Sequence, residues 1–104
     1  MSEDAVSDAD WDDLLAGFRR QFWGQRVPAF AAVWQDCQEQ PAVGWGAALK
    51  QAIHGLAGVA ALVGLPEVGD SARRIELIWD EQGAASEALR GDIADLLAQL
   101  QAAR

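Results

Sequence analysis

The sequence has no tyrosine, one cysteine, one histidine and three prolines in its 104 residues. Each shortage closes off a line of structure or chemistry. With tyrosine absent and alanine and leucine frequent, the composition suits helices far better than strands. The one cysteine, Cys37, cannot make an internal disulfide or anchor a thiolate metal site, and it reads as a small core hydrophobe. No apolar run approaches the roughly 18 residues of a membrane span. The opening MSEDAVSDAD is acidic where a signal peptide would be basic and then apolar, so a cytoplasmic protein is expected. Basic residues are scarce as well, 8 against 16 acidic ones, for a formal charge of −8. Such a chain gains nothing from counterion release and is repelled by anionic lipid, which argues against nucleic acid and membrane surfaces as partners.

Apolar residues recur at helical spacing through most of what remains. Trp11, Leu14, Leu15, Phe18 and Phe22 predict a first helix from about Asp8 to Trp23, behind an acidic tail over residues 1–7. Gly24 and Pro28 predict a break, with a second helix restarting near Arg26 on Val27, Phe30, Ala31, Val33, Trp34 and Cys37. A loop at Pro41 leads into a third helix from about Val43 to Val63. Gly64, Leu65 and Pro66 form a stop-and-restart signal in which Gly64 suits a left-handed cap and Pro66 a first helical turn. A fourth helix uses Val68, Ala72, Ile75, Ile78 and Trp79 as far as Gly83. A fifth, capped by Ser86, uses Leu89, Ile93, Leu96, Leu97 and Leu100. The expected fold is all-α: an up-and-down antiparallel four-helix bundle with an additional N-terminal helix, forming a single domain over residues 1–104.

The lone histidine lies in the third helix. At about 100° per residue, Trp45, Leu49, Ala52, Ile53, Leu56, Val59, Ala60 and Val63 cluster on one side of that helix and His54 falls opposite them. His54 is therefore expected to face solvent, with Ala47, Lys50, Gln51, Ala57, Gly58 and Ala61 around it. An exposed glycine inside a helix costs about 1 kcal/mol relative to alanine. Small residues at these places let another protein come close to the imidazole. From Ala42 to Pro66 there is also no carboxylate to repel a phosphate. Imidazole is substantially neutral near neutral pH, so one ring nitrogen keeps a lone pair for attack on phosphorus.

The segment HGLAGVAALVGLPEVGDSARRIE, His54 to Glu76, resembles the signature of histidine phosphotransfer (HPt) domains. The pattern is roughly H-x-L-K-G-S-A, three residues, glycine, three residues, an aliphatic residue, then a run ending in L-E. His54, Leu56, Gly58, Ala60, Gly64, Val68, Ala72, Ile75 and Glu76 fall on it in register. The resemblance implies a four-helix bundle whose exposed histidine takes a phosphoryl group from a receiver aspartate or a kinase and donates it to another receiver. By position it makes His54 the phosphoacceptor and Gly58 the residue that clears the approach. The family's lysine three residues after the histidine is Ala57 here. Lys50, one turn before His54, is the candidate substitute for stabilising the phosphate.

Gln51, Ala57, Gly58 and Ala61 are the expected receiver-docking residues. Arg73 and Arg74 could frame a docking surface, but a solvated face is the favoured reading of both. The expected function is a phosphocarrier in a two-component phosphorelay, a monomer by default, whose partners are response-regulator receiver domains, a histidine kinase, or both. No metal site and no cofactor of its own are expected, the divalent metal residing on the partner receiver. The alternatives are the phosphoacceptor module of a chemotaxis-like histidine kinase, or a bundle that docks receivers without carrying phosphate. A hydrolase is disfavoured because no Ser, Cys, Asp or Glu is predicted beside His54 on its helix.

Overall fold

A computed structural model describes residues 8–104, so the expected acidic tail over residues 1–7 lies outside the described residues. Helix α1 spans Asp8–Gln21, α2 Val27–Cys37, α3 Ala47–Val59, α4 Pro66–Gln82 and α5 Ala88–Ala103. No strand occurs among the described residues.

The break expected between the first two helices does not exist. Phe22–Arg26 forms a π-helical turn with helical dihedrals on both flanks, and the Val27 amide reaches back five residues to the Phe22 carbonyl. A proline inside an α-helix removes one backbone donor and pushes its ring against the carbonyl four residues earlier. The wider π-turn directly before Pro28 relieves that conflict without ending the helix. The result, among the described residues, is four helical columns, the first being α1 and α2 joined end to end in place of a separate N-terminal helix. The molecule is elongated, 58 × 25 × 20 Å. No described residue of α1 is buried: Leu15 and Phe18 are partly covered, Trp11 and Leu14 remain half-exposed, and Phe22 in the π-turn is the first to enter the core.

The four columns meet on the expected stripes. Phe30 and Trp34 from α2, Leu49, Ile53 and Leu56 from α3, Ile75 from α4, and Leu89, Ile93, Leu96 and Leu100 from α5 are each 2% exposed or less. Each such side chain contributes roughly 2 kcal/mol of apolar burial. Cys37 joins this core, as its composition suggested, and burial followed by the nearby Asp36 charge pushes its thiol above the usual range. Trp45 donates from Nε1 to the Cys37 carbonyl at 2.9 Å and stacks edge-on against Trp34. Trp23, which fits no stripe in the sequence, packs edge-on against Phe22 with Arg104 above its ring.

Two turns fix how the columns pair. Beyond Val59 the third column tightens into a 3₁₀ turn over Ala60–Val63 and ends at Gly64, whose φ of +84° is left-handed. The Leu65 amide bonds the Ala60 carbonyl and the Gly64 amide bonds the Ala61 carbonyl, satisfying carbonyls the helix end would otherwise leave free. Pro66 then starts α4 in its first turn. The α2–α3 connection is pinned by α5: Arg90 donates to the carbonyls of Gln38 and Gln40, and Glu87 accepts from the Ala42 amide at 2.7 Å. Ser86, expected to cap α5, makes no capping bond, and its hydroxyl is buried without a partner. Val43 sits in the isolated turn Ala42–Gly44, so α3 begins four residues later than expected.

Candidate functional site

Helices α3 and α4 run antiparallel from the turn at Leu65, and they approach closely. A Cβ on Gly69 would lie 3.5 Å from the Ala60 Cβ and 3.6 Å from the Ala57 carbonyl. Residues equidistant from Leu65 in sequence therefore face each other across the seam. His54 meets Glu76 and Lys50 meets Asp80, while Ala57 and Arg73 both line the hollow beside His54.

His54 is exposed, 76% by side chain, in agreement with its place opposite the apolar stripe. Its Nδ1 lies 2.9 Å from Glu76 Oε2. A carboxylate oxygen can only accept, so Nδ1 carries the proton and donates, and Nε2 of the neutral ring keeps its lone pair. Glu76 itself is only 18% exposed, so its packed carboxylate holds the ring. No carboxylate occurs on α3, so none is expected near this histidine from its own helix. The neighbouring α4 instead brings one into direct contact and Asp80 one turn further.

Lys50 is on the same side as His54 but is engaged, forming an ion pair with Asp80. Gln51, Gly58 and Ala61 are exposed as expected. Ala57 is not. It is 4% exposed, because the seam with α4 turns it inward. The expectation that Ala57 offers an open docking surface is thus corrected, since α4 covers it. A Cβ added to Gly58 would meet no heavy atom within 4 Å, so this glycine is not required by packing. On the opposite flank Arg26 lies against Gly55, where a Cβ would come within 2.8 Å of the guanidinium.

Beside the imidazole lies a shallow hollow of about 320 Å³, lined by His54, Ala57, Gly58, Arg73, Glu76, Leu77 and Asp80. No hydroxyl or thiol is among its lining residues. The pair of Glu76 and His54 thus orients a nucleophilic nitrogen but faces no serine or cysteine to activate. Among the described residues no group of three or more His, Cys, Asp or Glu side chains could hold a metal ion. None of the described helices is long and apolar enough to cross a membrane.

The site thus holds an exposed imidazole with one nitrogen tethered to a carboxylate, on a helix whose outward side is small. The Hpt domain family model matches residues 10–103, nearly the whole chain. This chain belongs to the Hpt domain family, the histidine phosphotransfer modules of phosphorelays. Comparisons with curated proteins and with solved structures returned no match.

Proposed function

We propose that the protein is a phosphocarrier that takes a phosphoryl group on Nε2 of His54 and exchanges it with aspartates of receiver domains. The observation that carries this reading is the bond from His54 Nδ1 to Glu76, which leaves Nε2 as the exposed nucleophile. In the forward step the Nε2 lone pair attacks phosphorus, the bond from phosphorus to the aspartyl oxygen breaks, and the aspartate leaves as a carboxylate. The ring then bears positive charge, and the ionised Glu76 balances it while still accepting the hydrogen bond from Nδ1–H. The reverse step returns the phosphoryl group along the same line. The receiver supplies the divalent metal that neutralises the phosphoryl oxygens. Gly58, Ala61 and Gln51 allow the receiver surface to approach, and exposed Leu77 gives it an apolar contact at the rim.

The test is transfer from phosphorylated receiver domains of the same genome. His54→Gln is expected to abolish acid-labile labelling while leaving the helical circular dichroism unchanged. Undiminished labelling of that variant rules the reading out.

A further inference from the structure

The phosphoryl group that His54 would carry brings up to two negative charges into the hollow. The hollow already contains two carboxylates, those of Glu76 and Asp80. Charge at such a place must be compensated, and the surroundings offer two candidate cations. Lys50 belongs to the neighbouring rung and is committed to Asp80. Freeing it would leave Asp80 unpaired beside the incoming phosphate, so recruiting Lys50 gains little.

Arg73 is placed differently. It lines the same hollow as His54 and is the single cation among the lining residues. Its contact with Asp70 is loose, 3.7 Å between groups that are 60% and 78% exposed. An exposed pair of that length is worth little and is readily exchanged. A guanidinium also presents a planar fork of donors that matches two phosphoryl oxygens at once, which an ammonium cannot do. The lining residues that carry no charge beside the ring, Ala57 and Gly58, are small and do not compete for the phosphoryl group.

We propose that Arg73, reaching across from α4, is the residue that binds the phosphoryl group on His54, and that Lys50 is not. This rests on the carrier reading above. Arg73 leaves Asp70 and donates to the phosphoryl oxygens. Glu76 keeps Nδ1, and Lys50 stays with Asp80 and screens that carboxylate from the phosphate.

The test uses the intact chain and phosphoramidate, a small donor that needs no partner protein. Nε2 attacks its phosphorus, the bond from phosphorus to nitrogen breaks, and ammonia leaves. Two quantities are read: the rate of labelling, and the pH midpoint of the phosphohistidine phosphorus resonance. The groups facing that phosphoryl are Arg73, Glu76 and Asp80, with Lys50 behind Asp80. Arg73→Gln is expected to slow labelling about threefold and raise the midpoint by about half a unit, since losing a cation disfavours the dianion. Arg73→Lys restores most of both. Arg74→Gln, the same charge change one residue outside the hollow, leaves both at wild-type values. If Arg73→Gln behaves like Arg74→Gln, or if Lys50→Gln has the larger effect, the assignment is wrong. Absence of wild-type labelling at His54 removes the carrier reading and this one together. Normal labelling that ignores Arg73 removes only this one.

Discussion

Two arginines on this bundle, Arg90 and Arg73, each pair with an acidic residue three positions earlier and differ in what they leave unused. Arg90 spends its donors on the Gln38 carbonyl, the Gln40 carbonyl and Glu87, and its guanidinium lies 5.0 Å from the Trp45 ring centre. Glu87 in turn accepts from the Ala42 amide. Every group is partnered by the protein, and the cluster holds the α2–α3 connection in place. Around His54 the pairings are partial: among the described residues Nε2 has no partner, Arg73 has one distant carboxylate, and a hollow lies open beside them. A saturated ionic cluster fixes shape, whereas an unsaturated one on a rigid seam is equipped to receive something.

The comparison is broken most severely at Gly58, on the open side of the seam. Gly58→Glu puts bulk and negative charge where the receiver must approach, and phosphotransfer from a receiver is expected to fall by about a hundredfold. The fold should persist or improve, by up to about 1 kcal/mol, because glycine is the poorer helix former and the space is empty. Paired urea melts and transfer assays check this. Unfolding would make Gly58 a packing residue.

A smaller effect is expected at Glu76. Glu76→Ala frees the imidazole from its tether, and phosphorylation should slow on the order of tenfold through lost orientation. Glu76→Gln, whose amide oxygen can accept the same bond, should recover most of the rate. If alanine and glutamine are equally slow, the carboxylate charge and not the tether carries the effect.

The least severe change is to the saturated cluster. Hydrogen bonding from Arg90, and next from the Ala42 amide, holds the Glu87 carboxyl below the usual carboxylate range. A depressed value in the folded state means that the contribution is complete above the unfolded carboxyl's value and disappears as pH falls through the folded one. Glu87→Gln should therefore lower Tm at neutral pH, with the gap from wild type closing in strong acid. Transfer to His54 should be unaffected, which distinguishes this cluster from the other.

Much of this was legible in the sequence, and the exceptions have identifiable causes. The stripes of α3, α4 and α5 were readable because their apolar spacing and the Gly64–Pro66 signal point the same way. The join between α1 and α2 was misread because Gly24 and Pro28 are helix breakers in an α-helix, and a π-turn that absorbs them has no marker in composition. The exposure of His54 followed from its wheel position. Ala57 did not follow, because the same wheel cannot say on which flank the neighbouring helix rests. Glu76 was visible as the end of the family motif but not as a partner of His54, since pairing across helices depends on register. A signal was nevertheless present. Folding the chain at Leu65 superposes His54 on Glu76 and Lys50 on Asp80, and the turn itself had been read correctly.

That turn also has a bearing on how such a protein can change over time. Because the Gly64–Leu65 bend acts as a length standard, inserting or deleting one residue there slides α4 by about 1.5 Å and rotates it by about 100° against α3. Every rung of the seam would come apart together, whereas single exchanges along either helix disturb one rung at a time. A single residue inserted or deleted between His54 and Glu76 is thus expected to cost more than any one exchange along either helix.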